Sequence, residues 1–122
     1  MNPVKRGKWG EKIAREYLVK NGYIVVATGF RSRFGEIDII AKNKEYLTFV
    51  EVKTRKNAAF ASAGEYVGKA KQRKIITTAR YWLARRPTGL QPRFDVIEIY
   101  AENGELTESP EIIHIENAFG AG

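Results

Sequence analysis

The run Gly35-Glu36-Ile37-Asp38-Ile39-Ile40-Ala41-Lys42, followed after Asn43-Lys44-Glu45 by Tyr46-Leu47-Thr48-Phe49-Val50-Glu51-Val52-Lys53-Thr54-Arg55, decides the fold. Both halves are rich in β-branched and aromatic residues and carry no helical period. With a short polar stretch between them they predict an antiparallel hairpin with strands over 36–42 and 46–54. Asp38, Glu51 and Lys53 interrupt otherwise apolar strands. Strand side chains alternate, so Glu51 and Lys53 point to one side about 7 Å apart along the chain, and Val50 and Val52 to the other. A suitable hairpin register brings Asp38 level with them, whereas Glu36 is expected to face away unless the strand is bulged. Ions buried on central strands cost several kcal/mol each unless they are paired or hold a metal. A lone Glu-x-Lys is ordinarily an ion pair at a sheet edge. A second carboxylate on the preceding strand points instead to Mg²⁺ or Mn²⁺, hard cations that take one or two protein carboxylates plus substrate oxygens and water.

Working outward, Trp9, Ile13 and Tyr17 with Ala14 and Leu18 form an apolar stripe that predicts a helix over 7–21, stopped by Gly22. Tyr23 to Thr28 reads as a strand. Residues 56–66 have no clear period and read as a mobile loop near any ligand, although Ser62 and Glu65 match a capping box. A second helix is expected from Lys69 to Arg86, ended by Pro87, with Ile75, Ile76, Ala79, Trp82 and Leu83 as its core stripe. Strands over 94–100 and 111–116 complete the order α-β-β-β-α-β-β. The crossover helix places the strand from Phe94 parallel to the one from Tyr46. Arg93 and Asp95 share a strand face and are expected to form an ion pair supporting the sheet. His114 is read as structural, and Trp9 and Trp82 as core.

The chain has 122 residues, 21 Lys or Arg and 14 Asp or Glu, for a net charge of +7. That length is one domain, 1–122, able to bury roughly two-thirds of its unfolded surface. With no cysteine and one histidine, disulfide scaffolds, thiolate sites and multi-histidine zinc sites are excluded. No signal peptide or membrane span is evident, so a cytoplasmic protein with no membrane partner is expected. The charge is uneven: residues 1–90 hold 20 Lys or Arg against 7 acids, residues 91–122 one against 7. Such asymmetry favours a polyanionic partner, though Lys69, Lys71, Arg73 and Lys74 also suit the solvated face of a helix.

An Asp followed by Glu-x-Lys on the next strand resembles the PD-(D/E)xK nuclease superfamily, with Asp38, Glu51 and Lys53 in the motif positions. More closely, the chain resembles the YraN family of small bacterial proteins, similar to archaeal Holliday junction resolvases. Gly10-Glu11 with Ala14, Gly35-Glu36-Ile37-Asp38, Phe49 to Arg55, Lys71-Gln72 and Arg93-Phe94-Asp95 carry the resemblance across nearly the whole chain. Ile37 stands where the superfamily has Pro before the Asp. The resemblance implies a restriction-endonuclease-like α/β fold: a three-layer α-β-α core with a mixed sheet flanked by helices.

It also implies metal-dependent hydrolysis of DNA phosphodiesters, with branched or junction DNA as the substrate; a 122-residue chain has little room to grip a branched duplex alone, so a homodimer is expected on such a substrate. Asp38, Glu51 and the Val52 backbone carbonyl would hold Mg²⁺ or Mn²⁺. Glu11 would complete or support that site, unless it serves only the helix dipole. Lys53 would orient the attacking water or stabilise developing charge. Gln72 would lie beside the site. Arg31, Arg33, Arg55, Lys56, Lys69, Lys71 and Arg73 are expected on the nucleic acid. Two alternatives stand beside this: a nuclease-like module that binds nucleic acid without cutting it, and an assembly scaffold in which the acidic C-terminal stretch binds a basic partner or a second copy.

Overall fold

The computed structural model describes residues 3–56 and 67–120, with side chains from Gly7 onward. The loop expected over 56–66 and its capping box therefore lie outside the described residues, apart from the exposed Lys56. The elements are α1 (Pro3–Lys20), β1 (Ile24–Ser32), β2 (Gly35–Lys42), β3 (Tyr46–Arg55), α2 (Lys69–Arg85), β4 (Gln91–Tyr100) and β5 (Glu111–Phe119), with a short 3₁₀ turn at Gly104–Leu106. Helix α1 starts earlier than the apolar stripe predicts. Proline suits a first helical turn, where its missing N–H has no partner to lose.

The strands form one five-stranded sheet in sequence order. All neighbours are antiparallel except β3 and β4, which run parallel from Tyr46↔Gln91 to Arg55↔Tyr100 across the α2 crossover. This is the mixed-sheet α/β architecture expected. The β2–β3 turn is tied by Asn43 Oδ1, which accepts the N–H groups of Glu45 (3.0 Å) and Tyr46 (2.8 Å).

Alternation divides the apolar side chains between two cores. On one face of the sheet Ile40, Leu47, Phe49, Phe94 and Val96 pack with Ile75, Ala79 and Trp82 of α2. On the other, Ile39, Ala41, Val50, Ile97 and Ile99 pack with Ala14 and Leu18 of α1. The helices therefore lie on opposite faces, giving three layers. Trp82 is buried, and Trp9 packs partly buried against the α1-side core, as the helical stripes predict. No helix among the described residues is long and apolar enough to cross a membrane.

The α1 face also holds a buried polar network. Asp95, fully buried, accepts Arg93 Nε at 2.9 Å and Nη2 at 2.8 Å and the Asn117 N–H at 2.9 Å, and lies 2.7 Å from His114 Nε2. A carboxylate only accepts, so a ring proton belongs on Nε2, and Nδ1 lies 3.1 Å from the Tyr17 hydroxyl. The Arg93–Asp95 pair is thus as expected, and His114 has partners on two other elements. Asn117, at φ 53, marks the irregularity where β5 turns its backbone N–H onto Asp95 and extends to Phe119.

Asp95→Ala removes the carboxylate that Arg93 and His114 share and is expected to cost about 3–5 kcal/mol, measured by urea denaturation. A loss below about 1 kcal/mol would mean the network is not a structural pin.

Candidate metal centre and its basic rim

The site is made by a fork in the sheet. Strands β2 and β3 pair only from Ile39↔Val50 to Lys42↔Leu47. Toward the other end β2 pairs only with β1, down to Ser32↔Gly35, and β3 only with β4. Asp38 and Glu51 are the first residues past the last rung. Alternation also breaks there: Ile37 packs into the α2-side core and Ile39 into the α1-side core. Gly29, at φ 57, lies opposite Asp38 between the rungs Thr28↔Ile39 and Phe30↔Ile37. A side chain would strain that backbone.

The β3 N–H that β2 no longer reaches is that of Val52, and it donates to Asp38 Oδ2 at 2.8 Å. Glu51 is only 5% exposed and is held by the Lys71 ammonium from α2. Asp38, Glu51, Glu36, Lys71 and Lys74 line one cavity of about 190 Å³ with Gly35. Gly35 lets β2 start against α2, since a Cβ there would come within 3.2 Å of Thr78 Oγ1 and 3.3 Å of Lys74 Cβ. Glu36 lines the same cavity, so the expectation that it faces away is not met; residues two apart on a strand ordinarily share a face.

Burial, and then the charge of Glu51, pushes the Asp38 carboxyl up to about 7; Glu11 adds to this, while the Val52 N–H and Lys71 oppose it. Burial works against the Lys71 charge, but Glu51, Asp38 and Glu36 together hold its pKa above the ordinary lysine value. Glu11 is raised by burial and by Glu36. It is not among the cavity's lining residues, because α1 lies on the opposite face, and it reaches the site through its charge.

Among the described residues no three Asp, Glu, His or Cys side chains gather into a ready-made metal cage. Two carboxylates in one cavity still fit Mg²⁺ or Mn²⁺, whose remaining positions go to water and substrate oxygens. Lys53, on the same strand face as Glu51, is half-buried, lies outside the cavity lining and has no hydrogen-bond or ion-pair partner among the described residues. The cation in contact with the carboxylate is Lys71, 20 residues further along the chain. The sequence alone points to Lys71 only as a nucleic-acid contact.

The remaining expected cations divide. Arg31 (3.3 Å from Glu36 across the β1–β2 ladder) and Arg33 (over the Phe34 ring) are exposed near the start of β2. Lys56, Lys69 and Arg73 are exposed at the end of β3 and along α2. Arg55 is committed to Glu98 at 2.8 Å, a pair with 14% and 10% exposed side chains, so its charge is neutralised within the sheet. Gln72, about 100° around the helix from Lys71, does not enter the carboxylate cavity. It lines a separate groove of about 380 Å³ with Lys69, Arg73 and Arg80, and donates to the Val67 carbonyl at 2.9 Å.

Residues 10–99 match the sequence profile described as "Uncharacterised protein family UPF0102". A UPF0102 protein of Clostridium acetobutylicum is 44% identical over 116 residues, covering 94% of this chain and 93% of its own. One from Clostridioides difficile is 42% identical over 120 residues, covering 98% and 100%. The chain belongs to the UPF0102 (YraN) family. A UPF0102 relative from Caldanaerobacter subterraneus subsp. tengcongensis, 44% identical over 93% of both chains, extends the similarity to a third genus. The UPF0102 match spans α1 to β4 and so contains Glu11, Asp38, Glu51, Lys53 and Lys71.

The elevated Asp38 pKa fixes a sign for pH. The unfolded carboxyl ionises near 3.8 and the folded one near 7, so between those values the folded state binds more protons and stability falls as pH rises. From pH 4 to 8 without metal, the wild type is expected to lose about 4 kcal/mol relative to Asp38→Asn, measured by urea denaturation. Parallel profiles for the two proteins would refute the shift.

Proposed function

We propose that this chain is a divalent-metal-dependent endonuclease that hydrolyses phosphodiester bonds in DNA, with branched or junction DNA as its substrate by resemblance. The observation that supports this reading is the pair Asp38 and Glu51, on diverging strands, converging on one small cavity ringed by exposed cations. Two like charges held together, one buried and one half-buried, weaken the fold and are the pattern of a site for a cation. Asp38 and Glu51 would hold Mg²⁺ or Mn²⁺ with the Val52 carbonyl. When bound, that ion lowers the pKa of a water and neutralises charge on the phosphate.

The chain's own residues do the rest. Lys53 supplies a fixed cation for charge developing on the phosphate or orients the attacking water, work that needs no histidine base. Glu11 adds negative charge from the opposite face, which raises the Asp38 carboxyl further and would favour a bound cation. Arg31, Arg33, Lys56, Lys69 and Arg73 take backbone phosphates along the rim, which is what the basic first 90 residues suggest. One observation favours a second reading, binding without cutting: Lys53 does not touch the carboxylates.

The test is cleavage of a labelled panel of linear, flap and four-way DNA with Mn²⁺ or Mg²⁺. Wild type is expected to cut at least one member. Asp38→Ala and Lys53→Ala should each reduce the rate by about 100-fold or more while unfolding cooperatively. Equal cutting by both variants would mean the activity lies elsewhere. Salt-sensitive binding with no cutting by the wild type would select the binding module.

A further inference from the structure

Lys71 stands where the proposed metal needs to be coordinated. Its ammonium hydrogen-bonds Glu51 Oε1, and its charge is felt by Asp38 and Glu36 in the same cavity. Glu51 is 5% exposed, whereas the Lys71 side chain is 49% exposed. The carboxylate is therefore fixed while its partner rides on a flexible, half-solvated stem. A pair built only to stabilise the sheet resembles Arg55–Glu98, with both side chains nearly buried. Glu51 and Lys71 differ in that one member can leave without unpacking either core.

We propose that Lys71 is a built-in competitor for the divalent cation: it occupies Glu51 while no metal is bound and must release that oxygen before the ion can take it. This rests on the reading of Asp38 and Glu51 as a metal site. Mg²⁺ or Mn²⁺ at about 2.1 Å from the Glu51 carboxylate leaves no favourable place for an ammonium on the same oxygen, because the two like charges repel. The lysine also offsets the repulsion between Asp38 and Glu51, so the metal-free fold tolerates both. Its cost is to metal affinity. If Lys71 holds Glu51 for about nine-tenths of the time, the apparent affinity falls about tenfold.

The experiment is Mn²⁺ binding to the full chain without DNA, read from the electron paramagnetic resonance signal of free Mn²⁺. The proteins compared are wild type, Lys71→Met, Lys71→Arg and Asp38→Asn. Lys71→Met is expected to bind about tenfold more tightly than wild type, Lys71→Arg no more tightly, and Asp38→Asn at least tenfold more weakly. Should Lys71→Met fail to fold by circular dichroism, Lys71→Gln gives the same comparison with a polar contact to Glu51 retained. Wild-type or weaker binding by Lys71→Met, with binding lost in Asp38→Asn, overturns the competitor and leaves the metal site standing. No Mn²⁺ binding by wild type or Lys71→Met overturns both.

Discussion

Where the β2–β3 ladder stops, one N–H of β3 has no strand to donate to, and Asp38 accepts it. Leaving such a group buried and unpaired costs about 1–3 kcal/mol, so the carboxylate is held at the branch point by the backbone itself. That one bond sets the site. It fixes Asp38 level with Glu51, draws two negative charges into one cavity, and makes a neighbouring cation necessary. The fork sits within the fold: β3 keeps β4 on its other edge throughout while β2 parts from it beyond Val50, and α2 carries Lys71 to the cavity.

A buried and a half-buried aspartate show how the same residue type is used in opposite ways. Burial alone would raise the Asp95 carboxyl, but His114, Arg93 and the Asn117 N–H outweigh it and hold it below the usual range. Its oxygens are saturated with donors, and it ties β4 to β5, with Arg93 Nη2 and His114 Nδ1 reaching on to Tyr23 and Tyr17. Asp38 has one backbone donor and faces other carboxylates, which leaves it poised to take a proton or a cation. The first arrangement stores stability. The second spends it at a place where a ligand can restore it.

What could be read from the sequence was what depends on local period. The hairpin, the α2 crossover and its parallel pairing, the two core stripes and the Arg93–Asp95 pair all follow from alternation or helical spacing within one element. The site needed more than that. Lys71 meets Glu51 only through the way α2 crosses the sheet, and the resemblance at Lys71-Gln72 was the sole hint. His114 and Tyr17 are 97 residues apart, and no local pattern joins them. Lys53 shows the reverse limit, since shared parity with Glu51 placed it on the right face but not in the cavity.

On the proposed function, the fork holds two carboxylates whose repulsion a divalent cation would relieve. Carbon-13 NMR titration of the Asp38 carboxyl, with and without saturating Mg²⁺, reads that repulsion at its source. A midpoint near 7 without metal, falling well below that with Mg²⁺, is expected. A midpoint in the ordinary carboxylate range, unmoved by Mg²⁺, would rule it out.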